Sequence, residues 1–181
     1  MLKARIEKEA KMLLNEEEYR LLSTLLPYHT TTQINHYFLA DQRYVLRIRE
    51  FPEHNEFLFT LKIKIKDGYQ EYEKQIPAND FHDPFVQEVF TQFHIQNIEY
   101  LGDMTCIRKH YATNYGEFCL DISSYFGQTD YEFEYELADA EHDDFREAFQ
   151  LLNRAGLSYK MNPISKFARF LKAKEQMENK K

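Results

Sequence analysis

The 181-residue chain predicts an α+β fold built on a mainly antiparallel sheet. Eight stretches alternate apolar and polar side chains with the period of two that a strand imposes. They follow one another through short polar breaks, as antiparallel neighbours do, rather than through long crossovers. Four further stretches space their apolar residues three and four apart, as a helix does. The aromatic content of 15%, with 13 Tyr, 15 Phe and no Trp, suits strands.

The first strand is Arg5-Ile6-Glu7-Lys8-Glu9-Ala10-Lys11, with Glu7, Glu9 and Lys11 on one side and Ile6, Ala10 and Met12 facing a core. Asn15 then caps a helix with an acidic first turn, Glu18 completing a capping box. Tyr19, Leu21, Leu22, Leu25 and Leu26 form its apolar face, and Pro27 stops it. Strands are expected at 33–39, 44–50 and 57–66, and the Asp67-Gly68 hairpin turn leads into another at 69–76. A helix over 80–93 carries Phe81, Phe85, Val89, Phe90 and Phe93, with Pro84 in its first turns. Strands resume at 105–113, 117–123 and 130–137, Gly116 marking a turn. A helix over 141–154 ends near Gly156, and a last one follows Ser165. No linker or repeat interrupts this order, so residues 1–181 read as a single domain.

Composition narrows the function classes. A net charge of −7 argues against a global basic field for nucleic acid. No apolar stretch is long enough to span a bilayer, and the chain reads as cytoplasmic. Cys106 and Cys119 lack zinc-ligand spacing; they read as two buried thiols, with a cross-strand disulfide the alternative. The seven histidines are scattered without HExxH spacing. Ser123-Ser124 lacks a GxSxG context, and the five glycines form no phosphate loop.

The distinctive pattern is charge on alternate strand positions. Arg47 and Arg49 share a face opposite Leu46 and Ile48, and Thr60, Lys62, Lys64 and Lys66 alternate with Phe59, Leu61, Ile63 and Ile65. Glu71 pairs with Glu73, and Glu132, Glu134 and Glu136 face away from Tyr131, Phe133, Tyr135 and Leu137. Arg108 and Asp121 sit on the two remaining strands. Such a pattern is ordinarily the solvated, salt-bridged face of a sheet. Against that reading, charge is segregated by sign within each strand, which maximises repulsion unless something compensates. Arginine suits forked recognition of phosphate oxygens, and clustered Glu suits hard divalent cations. A closed barrel would turn this face inward, onto a metal-bearing polyphosphate.

In these residues the chain resembles the CYTH superfamily, the triphosphate tunnel metalloenzymes. That superfamily includes class IV adenylate cyclases, thiamine triphosphatases and inorganic triphosphatases. Glu7-Lys8-Glu9-Ala10-Lys11 matches its ExExK signature. Arg47-Ile48-Arg49, Thr60-Leu61-Lys62, Glu71 with Glu73, Arg108, Leu120-Asp121, Glu132-Phe133-Glu134 and Ser165-Lys166-Phe167-Ala168-Arg169-Phe170 follow in order. The likeness covers roughly residues 4–171 and is similar to the small single-domain members of Gram-positive bacteria labelled adenylate cyclases. Two positions depart from the pattern: Cys106 stands where many members carry a base, and Leu39 where Tyr37-Phe38 would be followed by an acid.

The resemblance implies an eight-stranded antiparallel barrel, a tunnel with a charged interior and helices outside. It implies that Glu7, Glu9, Glu132 and Glu134 hold Mg²⁺ or Mn²⁺. Lys11, Arg47, Arg49, Lys62, Arg108 and Lys166 would grip phosphate oxygens, with Glu9, Glu134 and Lys11 serving the chemistry. Glu71, Glu73 and Asp121 would be further inward carboxylates, while Lys64, Lys66 and Glu136 are as well placed in solvent. The implied activity is metal-dependent hydrolysis of inorganic tripolyphosphate or a small organic triphosphate. The alternatives are a class IV-type cyclase converting ATP to cyclic AMP, and a noncatalytic polyphosphate or nucleotide sensor. The implied partner is a small-molecule triphosphate or polyphosphate, with no membrane and no nucleic acid; monomer and homodimer remain open.

Overall fold

A computed structural model describes residues 4–40, 44–66, 68–139 and 144–179. In chain order these form β1 (Arg5–Glu7), β2 (Glu9–Leu14), α1 (Glu16–Leu22), β3 (His29–Leu39), β4 (Tyr44–Phe51), β5 (Glu56–Ile65), β6 (Gly68–Ile76), α2 (Pro84–Phe93), β7 (Glu99–Ala112), β8 (Gly116–Tyr125), β9 (Gln128–Leu137), α3 (Arg146–Arg154) and α4 (Lys166–Glu178). The strands form one nine-stranded sheet in the order β1-β6-β5-β4-β3-β7-β8-β9-β2. The α+β antiparallel class expected from the sequence is borne out. The count is nine rather than eight because the first strand changes partner at Lys8. Glu7 pairs with Tyr69 of β6, whereas Glu9 pairs with Glu136 of β9. The two ends of the strand order are therefore consecutive in the chain, the connectivity of a closed antiparallel barrel.

The chain divides into two compact units, Met1–Glu7 with Thr32–Thr105, and Lys8–Thr31 with Cys106–Lys181. In the first unit, Tyr44, Leu46, Ile48, Phe59, Leu61, Tyr72 and Ile76 pack against Val86, Val89 and Phe90 of α2. This helix begins at Pro84, later than its apolar spacing predicts. A residue before proline is held out of the helical region, and Asp83 (φ −60, ψ 134) instead caps, its side chain accepting from Phe85 N. Ile6, expected in a core, is 40% exposed and joins neither cluster.

In the second unit, Met12, Leu14, Phe118, Leu120, Phe133, Tyr135 and Leu137 pack against Tyr19 and Leu22 of α1 and Ala148, Leu151 and Leu152 of α3. The Asn15–Glu18 capping box forms as read from the sequence. The helix stops at Leu22, before Pro27 is reached. Asp144 accepts from the backbone N–H of Arg146, and α3 begins there; Glu141, where the sequence predicted its start, lies outside the described residues, as does Asp67. Gly156 (φ 69) closes α3: its N–H reaches Asn153 O and that of Leu157 reaches Leu152 O. Ser165 caps α4 by accepting from Ala168 N at 3.2 Å. Cys106 and Cys119 are buried thiols that form no disulfide. Among the described residues, no helix is long and apolar enough to cross a membrane.

Candidate functional site: two charged sheet faces

Within the first unit, strand register lines up the charged positions. Arg47 pairs with Thr60 and with Tyr37, and Thr60 with Glu73; Lys62 pairs with Glu71, and Arg49 with Asn35. The side chains follow the register. Arg47 Nη2 donates to Thr60 Oγ1 at 3.1 Å, and that hydroxyl donates to Glu73 at 2.8 Å. Arg49 Nε donates to Asn35 Oδ1 at 3.0 Å. Lys62 donates to both oxygens of Glu7 and forms an ion pair with Glu71.

The charged face of the second unit is denser. Arg108 forks onto Asp121 at 2.8 and 2.6 Å and reaches Glu134 at 2.6 Å. Lys166 donates to Asp121 at 2.5 Å and to Glu134 at 3.1 Å. Lys11, paired in register with Glu134, donates to Glu9 at 2.5 Å. Arg169 and Asn162 both donate to Glu132.

These faces are not the solvated surface that alternating charge ordinarily marks. Asp121 and Thr60 are fully buried, Glu132 is 1% and Glu71 3% exposed. The sign segregation along each strand is compensated across strands, Arg47 through Thr60 to Glu73, Lys62 to Glu71 and Arg108 to Asp121. Lys64 and Lys66, farther along, are exposed, and Glu136 is half-buried.

The fields in the two units differ. Burial pushes the Glu71 carboxyl up to about 7; Lys62 opposes this, while Glu7 and Glu73 add to it. Burial would likewise raise Asp121, but Arg108 and Lys166 hold it well below the usual carboxylate range. Glu134 is down at about 2, because Lys166, Arg108 and Lys11 outweigh burial and the repulsion of Asp121. Lys62 and Lys166 are held above the ordinary ammonium value, burial being outweighed by their carboxylate partners. At neutral pH Asp121 and Glu134 are therefore ionised beside a charged Arg108 and Lys166.

Four side chains bear on these faces without having been singled out by spacing. Asn35 and Asn162 are uncharged and escape a search for charge. Arg169 lies in the matched motif three residues after Lys166, a same-face helical spacing that could have marked it. Gln33, buried on the same strand face as Asn35, leaves its Oε1 without a hydrogen-bond partner among the described residues. The same holds for the buried Nε of Arg47.

The comparisons with known proteins agree with this architecture. The CYTH domain family model matches residues 5–170. The Bacillus subtilis (strain 168) protein named "Putative triphosphatase YjbK" is 31% identical over 164 residues, covering 81% of this chain and 84% of its own. A Bacillus halodurans protein whose crystal structure bears the name "putative adenylate cyclase" superposes with a TM-score of 0.76 at 29% identity, covering 92% of this chain and 98% of its own. HpAC1 from Hippeastrum, described as a "putative adenylyl cyclase" with a dominant triphosphatase activity, shares the fold with a TM-score of 0.72 at 24% identity, covering 94% of this chain and 96% of its own. The matched span runs from the first strand to Arg169 and Phe170 and holds every charged-face residue described above, so the chain belongs to the CYTH domain family.

Proposed function

We propose that the protein is a metal-dependent hydrolase of phosphoanhydride bonds in inorganic tripolyphosphate or a small organic triphosphate. One observation carries the reading: Arg47 is buried on a charged face with an N–H that lacks an acceptor among the described residues. Leaving such a donor unmet costs about 1–3 kcal/mol, more for a charged group, and a phosphate oxygen would meet it. Membership of a family with triphosphatase relatives agrees.

The donor chemistry fits a divalent cation. Carboxylate oxygens are hard ligands; the Glu71 carboxyl is raised first by burial and further by Glu7 and Glu73, whose repulsion a cation would relieve. Among the described residues no three His, Cys, Asp or Glu side chains already stand as a metal cluster. Mg²⁺ requires none, since it keeps several waters and uses one or two carboxylates together with substrate phosphates. In the second unit Glu9 and Glu134 are the carboxylates that would hold Mg²⁺ or Mn²⁺, and in the first unit Glu7. The bound cation would draw charge from the nonbridging oxygens.

The remaining work belongs to the chain's own residues. Arg47, Arg49 and Lys62 of the first unit, and Lys11, Arg108 and Lys166 of the second, bind phosphate oxygens as charged donors. Glu9 or Glu134 orients a water, Glu134 as an ionised acceptor at neutral pH. Water attacks the terminal phosphorus, the anhydride P–O bond breaks, and tripolyphosphate yields orthophosphate and diphosphate. Positioning and charge cancellation suffice for this chemistry.

The name borne by the Bacillus halodurans neighbour favours a second reading, cyclisation of ATP. Phosphate release and cyclic AMP formation, measured with tripolyphosphate, thiamine triphosphate and ATP under Mg²⁺ or Mn²⁺, separate the two. Metal-dependent phosphate release without cyclic AMP is expected. Cyclic AMP as the main product would establish the cyclase, and binding without turnover would overturn both.

A further inference from the structure

Both carboxylate oxygens of Glu132 are occupied by one guanidinium, as those of Asp121 are by Arg108. Arg169 Nη1 donates to Oε1 at 3.0 Å and Nη2 to Oε2 at 2.9 Å, a parallel fork. Asn162 Nδ2 adds a bond to Oε1 at 3.2 Å, and Lys166 Nζ stands 3.4 Å from Oε2. Two further Arg169 N–H groups are engaged: Nε reaches Asp130 at 2.7 Å, and Nη1 reaches Ile164 O at 2.9 Å. Asp130 is itself held by the Tyr125 hydroxyl. Arg169 lies in the first turn of α4, three residues after Lys166 and so on the same helix face. The fork joins this turn to β9, and the Lys166 ammonium on the same turn falls on Asp121 and Glu134.

We infer that Arg169 is a positioning residue that acts through Glu132 to place Lys166, and that Glu132 is the anchor of α4 rather than a metal ligand. The assignment deepens the proposed phosphoanhydride hydrolase and rests on it for its catalytic consequence. Its structural core stands independently of activity. Lysine at position 169 would keep the charge and lose the fork, because an ammonium cannot present two parallel N–H groups in the guanidinium plane. Glutamine at position 132 would keep the shape and lose the anion.

The test uses Arg169→Lys and Glu132→Gln in the full chain, each first shown to melt cooperatively. Reductive methylation of Lys166, read by mass spectrometry, reports its seat without any substrate. The ammonium should be slow to react in the parent protein, and both variants should speed it. Calorimetry with Mn²⁺ alone should give the parent affinity for both. Tripolyphosphate turnover should fall roughly 10–100-fold in kcat, as for loss of an outer-shell partner, and the double variant should be no worse than either single one. Unchanged Lys166 labelling in both variants would overturn the positioning role. Weakened Mn²⁺ binding in Glu132→Gln but not in Arg169→Lys would restore Glu132 as a ligand and overturn the anchor. A parent protein that hydrolyses no triphosphate, with Lys166 labelling still raised in the variants, would sink the hydrolase reading and leave the anchor standing.

Discussion

Lys62 donates to both carboxylate oxygens of Glu7, at 2.9 and 2.8 Å, across 55 residues of chain. The same ammonium also pairs with Glu71. Two acids therefore share one base inside the first unit; burial, with Glu7 and Glu73 adding to it, raises the Glu71 carboxyl to about 7. A bank of this kind suits a site that receives a cation together with an anion.

Removing the first-strand carboxylates tests that role. Glu7→Gln and Glu9→Gln keep side-chain shape and remove anionic oxygen, and Lys62 keeps Glu71 as a partner in the first variant. Phosphate release from tripolyphosphate should fall by more than the roughly 10–100-fold that loss of an outer-shell partner costs, with the melting transition retained. Normal hydrolysis by both variants would exclude them as metal carboxylates.

The arginines of β4 should carry affinity. Arg47→Ala or Arg49→Ala removes charge-assisted bonds of roughly 1.5–3 kcal/mol, or about 10- to 150-fold in tripolyphosphate dissociation constant. Calorimetry should show this weakening with little change in melting temperature. Intact affinity with a sharply lower melting temperature would assign Arg47 and Arg49 to structure alone.

The two units should respond oppositely to pH. Glu71 has its folded pKa raised from 4.5 to about 7, so its contribution to stability is full below about pH 4.5 and is lost as pH rises through about 7. Glu134 has its pKa lowered from 4.5 to about 2, so its contribution is present above about pH 4.5 and is lost as pH falls toward 2. In denaturant titrations, Glu71→Gln should gain stability relative to the parent between pH 5 and pH 8. Glu134→Gln should weaken the parent's dependence between pH 5 and pH 3. Parallel curves for parent and variants would refute the assignment.

Gly116 is required for close approach. A Cβ there would collide with the backbone oxygen of Glu136 and lie 2.7 Å from the Tyr135 ring. Tyr135 cannot swing away cheaply, since it is fully buried and its hydroxyl donates to Glu147 at 2.5 Å. Gly116→Ala should cost about 1–3 kcal/mol, as overpacking does, read as a lower midpoint in chemical denaturation.

Much of this was legible in the chain. Period-two alternation located the later strands, and the Asn15–Glu18 spacing located a capping box that forms as read. The boundaries that slipped did so for local reasons. Pro84 forbids a helical Asp83, and the ladder switch at Lys8 divides a strand that looks continuous in sequence. Parity identified which side chains share a face, and the expected site residues do lie on the two charged faces. It could not say whether those faces meet water, because burial depends on what packs above a sheet.

The sequence by itself determined the α+β class, the alternation of charge and the motif order that marks the CYTH family, since each follows from residue type and spacing along the chain. Tertiary structure decided the pairings. Arg47 faces Thr60 through a register set by the whole β4–β5 ladder, and Arg169 meets Glu132 only because α4 packs on β9. It also set the protonation levels. Glu71 and Glu134 are the same residue type with the same unfolded pKa. They separate to about 7 and about 2 because one is buried among acids that share a lysine and the other among three bases.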